Sequence, residues 1–320
     1  MKTGKQSGTR GLYAGTVLSN NQIRSCFWKI ILAMDSPGSQ AFATTNPGQF
    51  AEFDLSTVSI PPSDTIPEHL RDASARQILL RRPFSFSDVS ISYLSEGVCT
   101  KIEVIYCVLG PATVRMTTLK KNDQVSILGP LGNGFWYPKD MKNALLVSGG
   151  IGAPPILHLA GFLKQHYPDI CVTAFAGAKN VDKIPFHVRI GNKTGIVIED
   201  FERLAIPAFL STDDGSGGRK GFVTDSLRQW IRANRPLSGQ TVLYACGPEA
   251  MLAECAKIAE EEGILCQVSM ERMMACGIGL CQSCAVQIAP IEAEQPRYKL
   301  CCKEGPVFDS RTVAFTNGRR

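Results

Sequence analysis

The sequence lacks any apolar run long enough to cross a membrane. Its longest apolar segments, residues 144–147 and 156–162, are interrupted or bounded by Gly, Pro or His. Both are far shorter than the roughly 20 residues that a membrane-spanning helix needs. The apolar core of a secretory signal is also lacking, because the basic residues 1–10 are followed by a stretch rich in Gly, Thr, Ser and Asn. We therefore expect no membrane span and predict a cytoplasmic protein.

There is no long run of Lys or Arg either. The 34 basic and 29 acidic residues give a net charge of +5 that is spread along the chain, so a nucleic-acid-binding surface is not predicted. What the chain does have is length and apolar content. Its 320 residues, 44% of them hydrophobic, are enough for two or three domains with sizeable cores.

The texture of the sequence changes twice. Up to about residue 140, short alternating apolar segments are separated by Gly, Pro, Asn and Asp, which predicts a small antiparallel β-barrel. From residue 141 to 268, short buried strands alternate with helices, which predicts a Rossmann-like parallel α/β domain. Residues 269–320 are short of periodic structure and rich in Cys and Gly. We expect a small third domain there that is stabilised by something other than an apolar core.

Individual elements follow from the same patterns. In the first domain we predict strands over residues 11–17, 26–34, 102–109 and 124–128, with residues 59–77 as a surface excursion. In the second we predict parallel strands over residues 144–147, 171–176, 195–199 and 241–245. Helices are expected over residues 156–165, 223–234 and 249–262, and a polar, Gly-rich loop over residues 211–221. The segment 189–221 looks like an addition.

Five of the twelve cysteines lie in the last domain. Cys276, Cys281 and Cys284 have the spacing C-x4-C-x2-C, and Cys301 or Cys302 provides a distant fourth thiol. This is the plant-type arrangement of a [2Fe-2S] cluster. Structural zinc is the alternative, although zinc sites usually use paired C-x2-C units. As fourth ligand we favour Cys302, since the KEGPVF turn follows it directly.

The other cysteines are scattered singly. We expect Cys26, Cys99, Cys107, Cys171, Cys255 and Cys266 to act as small buried hydrophobic residues.

The segment RRPFSF, residues 81–86, combines a guanidinium, a rigid Pro and a hydroxyl. An extended strand with these groups can place Arg82 on a phosphate and Ser85 on the edge of a flavin ring. Pro83 and Phe84 lie between them. Such a segment is also common in ordinary surface loops. The flavin hypothesis therefore depends on the other motifs that precede and follow this segment along the chain.

Residues 148–152, SGGIG, lie between a predicted strand and a predicted helix. Gly149, Gly150 and Gly152 would let a pyrophosphate approach the backbone, and the following helix would add its positive N-terminal dipole. A purely structural Gly-rich turn is the alternative. A second turn, ACGPEAML from residue 245, follows the last predicted strand.

These motifs occur in a fixed order along nearly the whole chain, and in that order they resemble the electron-transfer subunit family of dihydroorotate dehydrogenase, within the ferredoxin-reductase superfamily. The matching segments are RRPFSF, GPLGNGF, SGGIGAPP, ACGPEAML, ACGIGLCQSC and CKEGPVF. Ala112 and Ser148 stand where the family usually has Gly, and the span from Cys284 to Cys302 is slightly longer than expected.

The resemblance implies three bound groups: FAD in the barrel, NAD on the α/β domain and a [2Fe-2S] cluster in the third. It adds Tyr106, Val108, Ala112 and Thr113 to the FAD residues, and it places Cys246, Gly247 and Pro248 beside the nicotinamide. It further implies a partner, an FMN-containing catalytic subunit that oxidises dihydroorotate to orotate, in a heterotetramer. No side chain is needed as a general base, and none is predicted to be catalytic.

Two other functions stay open. The chain could be the iron-sulfur flavoprotein subunit of another NAD(P)-linked complex, such as a ferredoxin:NADP or sulfur reductase, or a zinc-binding scaffold without catalysis. The choice between NAD and NADP also stays open. It depends on residues around 177–183, where Lys179 would tolerate a phosphate.

Overall fold

The computed structural model describes residues 9–95, 97–191, 195–289 and 297–315. The basic segment 1–8 and part of the segment 189–221, residues 192–194, lie outside the described residues. No helix within the described ranges is long and apolar enough to cross a membrane.

The first domain is built on one antiparallel sheet that forms a half-barrel. Its strands are β1 (Gly11–Arg24), β2 (Phe27–Met34), β3 (Phe50–Phe53), β4 (Arg82–Ser85), β5 (Asp88–Leu94), β6 (Gly97–Cys107) and β7 (Gln124–Leu131). Three helices accompany them: α1 (Ser36–Phe42), α2 (Arg71–Ser74) and α3 (Pro111–Met116). The strand order is β4-β3-β7-β1-β2-β6-β5. The sheet therefore places β3 directly beside β4, the strand that carries the RPFS motif.

The predicted surface excursion, residues 59–77, contains short 3-10 turns and α2. It is anchored through Ile66 and Leu70, which are buried in the apolar core of the first domain. The Arg115 guanidinium of α3 donates to the carbonyl of Arg76 at 3.0 Å. The excursion is therefore packed on the half-barrel at its α3 side.

The second domain contains a seven-stranded sheet with helices packed on it. Its elements are β8 (Asn143–Gly149), α4 (Ala153–His166), β9 (Cys171–Ala178), β10 (Val188–Gly191), β11 (Gly195–Ile198), α5 (Glu199–Glu202), β12 (Ala208–Thr212), β13 (Arg219–Lys220), α6 (Val223–Asn234), β14 (Thr241–Cys246), α7 (Glu249–Glu261) and β15 (Leu265–Ser269). The last elements of the chain are β16 (Ala285–Ile288), β17 (Arg297–Leu300), α8 (Cys301–Glu304) and β18 (Val307–Asp309). The sheet order is β13-β12-β9-β8-β14-β15-β18, so the predicted Rossmann-like domain is confirmed.

Two details of the predicted parallel sheet are wrong. The segment from residue 195 forms a strand, but β11 pairs with β10 in a separate two-stranded antiparallel sheet. The third strand of the sheet is β12, whose end we had predicted as loop. Ser211 and Thr212 are polar but buried, and each has a hydrogen-bond partner. Ser211 Oγ lies 2.8 Å from Ser226 Oγ, and Thr212 Oγ1 donates to Gly217 O at 2.7 Å. Polar side chains with such partners can occupy a central strand.

The Cys-rich segment is not isolated from the sheet. Strand β18 pairs antiparallel with β15, with Val268 opposite Phe308. Cys284, Val286 and Cys301 are buried in the same apolar core as Leu243 and Val268 of the sheet. The segment is thus fixed to the second domain by a strand as well as by side-chain packing. The predicted boundaries at residues 140 and 268 stay predictions.

Candidate redox site

The strand order reverses between β8 and β14, and both predicted nicotinamide turns lie at that point. Ser148 at the end of β8 is opposite Cys246 at the end of β14. In open α/β sheets a ligand binds in the crevice beyond the carboxyl ends of the strands where the order reverses. The two turns predicted separately from the sequence therefore lie side by side.

Glycine is required for this close approach. A side chain at Gly152 would collide with the carbonyl of Cys246 and would lie 2.6 Å from the Gly247 nitrogen. Gly247 has φ +158, and a side chain there would lie 2.9 Å from the Gly149 nitrogen. Gly150 has φ +52 and open space around it, which leaves its backbone accessible to a ligand.

A cavity of about 690 Å³ joins this crevice to the RPFS strand. Its volume is in the range of ordinary cofactor and ligand sites. The lining residues include Arg82 and Pro83 from β4, Gly247 and Pro248 from the second turn, and Met270 and Arg272 after β15. The structure therefore brings the predicted flavin strand and the predicted nicotinamide turn to one cavity.

Two neighbouring arginines of this strand have different surroundings. The Arg81 guanidinium donates to the Ser126 carbonyl at 2.8 Å and pairs with Asp54 at 3.3 Å, so it is held on the half-barrel. Among the described residues, the Arg82 guanidinium donates only to nearby carbonyls of its own segment, at Leu80 and Arg81, and it lines the cavity. Arg82 is thus the cation available to a bound phosphate.

The remaining predicted flavin residues lie around β4 and the end of β6. Phe84 packs edge-on against Phe53 with ring centroids 5.1 Å apart, and against Tyr106 at 6.4 Å. Tyr106 is buried, and its hydroxyl donates to Asn20 Oδ1 at 3.0 Å. Its ring is therefore part of the domain core that supports the strand, and Ser85 is half-buried at the end of β4.

The turn between β6 and α3 contains Val108, Ala112 and Thr113. Thr113 Oγ1 accepts from the backbone nitrogens of Leu109 at 3.0 Å and of Gly110 at 3.2 Å. Val108 and Ala112 are buried. The Thr113 hydroxyl thus fixes the start of α3.

The four predicted cluster cysteines form two pairs. The Cys281 nitrogen donates to Cys276 Sγ at 3.4 Å, and the Cys302 nitrogen donates to Cys284 Sγ at 3.4 Å. Two pairs of thiols suit a cluster that contains two irons and takes four thiolates. In the described part of the chain, no three His, Cys, Asp or Glu side chains are grouped so as to hold a single metal ion.

The two adjacent cysteines at the start of α8 have different partners. Cys301 Sγ donates to the Met270 carbonyl at 3.2 Å and lies in the core beneath the loop. Cys302 lies next to Cys284, and burial raises the pKa of its thiol to about 12 in the absence of a metal. A bound metal would have to displace that proton. Of the two candidates, Cys302 is the one that interacts with both Cys284 and Cys276.

Asn133 holds the turn after Cys302 in place, a role that we did not predict from its sequence context. Its side-chain amide donates to the Lys303 carbonyl at 3.1 Å, and its backbone nitrogen donates to the Gly305 carbonyl at 2.6 Å. Asn133 belongs to the GPLGNGF segment of the first domain. Glu52 is a second residue that we missed, and it lies against the loop of the first three cysteines. Its charge between Ala51 and Phe53, in an otherwise apolar stretch, was the available signal.

Cys281 is exposed, and its thiol is unusually acidic. The Ser283 hydroxyl, 3.1 Å from its sulfur, the Ser283 backbone and Cys276 lower its pKa to about 6. In cluster-free protein we expect iodoacetamide to alkylate Cys281 at pH 7 several-fold faster than the exposed Cys171, because the thiolate is the nucleophile. Peptide mass spectrometry over time measures both rates. Equal rates, or no decline for Cys281 as the pH falls below about 6, would contradict this assignment.

Comparisons with known proteins agree with this geometry. Residues 271–314 match the family described as the iron-sulfur cluster binding domain of dihydroorotate dehydrogenase B. Among solved structures, a chain of the NADH-dependent reduced ferredoxin-NADP oxidoreductase superimposes with a TM-score of 0.68 at 24% identity, covering 94% of this chain and 90% of that chain. The cytochrome b5 reductase domain of Ulva prolifera nitrate reductase superimposes with a TM-score of 0.57 at 14% identity, covering 79% and 94%. The fold is thus of the ferredoxin-reductase class.

Curated relatives define the family more closely. The electron transfer subunit of dihydroorotate dehydrogenase B (NAD(+)) of Caldanaerobacter subterraneus is 34% identical over 238 residues, 74% of this chain and 81% of the relative. Its counterpart from Bacillus velezensis is 31% identical over 303 residues, 94% and 98% of the two chains. The chain belongs to the family of dihydroorotate dehydrogenase B electron transfer subunits, and the predicted resemblance is confirmed.

Proposed function

We propose that this chain binds a [2Fe-2S] cluster and FAD and carries electrons to NAD+. The electrons come from a partner subunit that oxidises dihydroorotate. The observation that carries the proposal is the position of the cluster loop. It contacts β3 through Gly277 and Glu52, and β3 pairs with the flavin strand β4. The two adjacent strands β3 and β4 therefore connect the loop to the cavity that β4 shares with the nicotinamide turn. Family membership supports the same conclusion.

The residues present fit these groups. We assign Cys276, Cys281, Cys284 and Cys302 to the cluster, Arg82 and its strand to FAD, and the turns at Gly149–Gly152 and Cys246–Pro248 to NAD. A [2Fe-2S] centre exchanges single electrons whereas nicotinamide takes a hydride, and a flavin bound between them supplies the conversion. The chain itself binds and orients. Arg82 offers charge to a phosphate, and the glycines leave room for the nicotinamide.

The partner in this proposal is an FMN-containing catalytic subunit, and the assembly is a heterotetramer. Apolar side chains are exposed on and beside the cluster loop, with Leu280 exposed by 77% and Met273 by 89%. Exposed apolar groups of this size next to a redox site are typical of a docking surface. The cytoplasmic location stays a prediction, and we propose NAD as the nicotinamide because the relatives are named for it.

The test is a pair of spectra on purified protein. We expect flavin absorbance and, after reduction by dithionite, the rhombic EPR signal of a reduced [2Fe-2S] cluster. NADH should reduce the flavin. Addition of the FMN subunit should allow dihydroorotate to reduce NAD+. A colourless, zinc-containing protein would contradict the electron-transfer function, and an NADH-reducible protein that never couples to dihydroorotate would contradict the substrate.

Replacing Arg82 by Met should weaken FAD binding by about tenfold to hundredfold, because a hydrogen bond to a charged group contributes about 1.5–3 kcal/mol. Fluorescence of FAD released on dilution measures the affinity. Arg81→Met is the matched control, since the Arg81 guanidinium is already occupied by Ser126 and Asp54. If both variants lose FAD equally, Arg82 has no special role.

A further inference from the structure

Glu52 is a carboxylic acid in the middle of a buried strand. Only 1% of its surface is exposed. It lies in β3, opposite Pro83 of the flavin strand β4 on one side and Leu128 of β7 on the other. Buried carboxyl groups are costly unless they are paired, so a structural or functional partner is expected.

The side chain of Glu52 reaches the cluster loop. A Cβ atom built on Gly277 would lie 2.5 Å from Glu52 Cδ, 2.6 Å from Oε1 and 3.0 Å from Oε2. The carboxyl group therefore occupies the space beneath Gly277, which has φ +64 and directly follows Cys276. Within the described residues, Glu52 Oε1 is buried and has no hydrogen-bond partner.

Charged groups of the flavin segment and of the cluster loop both influence the Glu52 carboxyl group. Burial raises the pKa of its carboxyl group to about 7, against the effect of Arg81 and Arg82, and Cys281 raises it further. The two arginines belong to the flavin segment, and Cys281 belongs to the cluster loop. Glu52 thus lies between the two predicted cofactor sites.

We propose that Glu52 is a positioning residue whose carboxyl group holds the Gly277 turn of the cluster loop against the flavin domain and influences the reduction potential of the cluster. This inference rests on the proposed function. Two effects follow from one contact. The carboxyl group fills the space under the turn, and a negative charge there disfavours the addition of an electron to a nearby centre.

The first test separates charge from shape. Glu52→Gln keeps the shape, so its cluster should resist a chelator as the wild type does, but its potential should rise. At a pH of about 8.5, where the wild-type carboxyl group is ionised, we expect the ratio of reduced to oxidised cluster at a fixed potential to increase about tenfold, which is about 59 mV for a one-electron couple. Glu52→Ala leaves the turn unsupported, and its cluster should be lost to the chelator several-fold faster.

The control is Asp54→Asn. It removes a carboxylate two residues away that pairs with Arg81, so it should change neither the potential nor the rate of cluster loss. EPR-monitored redox titration gives the potential, and the decay of visible absorbance with the chelator gives the rate.

The second test examines the contact itself by a double-mutant cycle. Gly277→Ala should speed cluster loss, and the increase should be smaller in the Glu52→Ala background, where the carboxyl group no longer collides with the new methyl group. Equal increases would overturn the contact.

Other outcomes are equally decisive. A wild-type cluster signal together with a Glu52→Gln potential equal to the wild-type value would overturn the role of Glu52 and leave the proposed function intact. Wild-type protein that holds flavin but no [2Fe-2S] cluster would overturn the proposed function and this inference with it.

Discussion

Replacing Cys302 by Ser should abolish or alter the EPR signal of the reduced cluster and lower electron transfer from dihydroorotate to NAD+ by at least about a hundredfold. Loss of a group that merely supports a metal ligand already costs about 10–100-fold, and Cys302 is proposed as a ligand. Its backbone nitrogen lies 3.4 Å from Cys284 Sγ, so its position next to that thiol is fixed by α8. Flavin absorbance should stay, because the predicted flavin strand lies in another domain.

Cys301→Ser is the matched control for this experiment. The two cysteines are adjacent, but Cys301 Sγ donates to the Met270 carbonyl in the core. Its replacement should leave the EPR signal unchanged, at a small cost in stability. If instead the signal persists in Cys302→Ser and disappears in Cys301→Ser, Cys301 is the fourth ligand. Reduction of the flavin by NADH should stay near the wild-type rate in both variants.

Gly152→Ala should weaken NADH binding by about tenfold to hundredfold, which corresponds to about 1.4–2.8 kcal/mol. The new methyl group would meet the Cys246 carbonyl and lie 2.6 Å from the Gly247 nitrogen. Overpacking of this kind typically costs about 1–3 kcal/mol. The two turns must then move apart at the point where the nicotinamide is proposed to lie. Stopped-flow reduction of the flavin over a range of NADH concentrations measures the loss.

Gly161→Ala provides the comparison. Gly161 lies in the same helix-containing unit, in α4, and a Cβ atom there would have nothing within 4 Å. Alanine also favours helix over glycine by about 1 kcal/mol, so this variant should bind NADH normally and unfold no more easily. NADH binding that is equally weak in both variants would show that the effect comes from α4 as a whole, and unchanged binding in Gly152→Ala would contradict the close contact of the turns.

Much of the fold could be predicted because its strands have clear patterns. The apolar run at residues 144–147 and the alternation in the first domain predicted β8 and four of the half-barrel strands, β1, β2, β6 and β7, whereas β3 and β5 were not predicted. Strand β12 was missed at its end because Ser211 and Thr212 are polar in sequence but buried in the structure, with Ser226 and Gly217 as partners. These partners lie 15 and 5 residues further along the chain, outside the alternation that marks a strand, so the strand pattern alone did not reveal them.

The candidate site was predictable where chemistry requires a fixed spacing. The C-x4-C-x2-C spacing identified three cysteines, since a cluster demands it. The choice between Cys301 and Cys302 depended on the direction of each side chain in α8. The neighbouring residues in the sequence indicate that direction only indirectly. Glu52 belonged to no predicted motif, and the GPLGNGF motif that contains Asn133 did not indicate a contact with Lys303. Both act on the cluster loop from the first domain, across more than 150 positions of sequence, through contacts that only the folded chain creates.

The hydrogen bond from Asn133 to Lys303 joins two residues 170 positions apart. Closing so long a loop costs conformational entropy, which the contacts at its ends must offset. The turn that follows Cys302 depends on two such contacts, the one from Asn133 of the half-barrel and the pairing of β18 with β15. The first three cysteines lie within one short loop, whereas the position of the fourth thiol is a property of the whole chain.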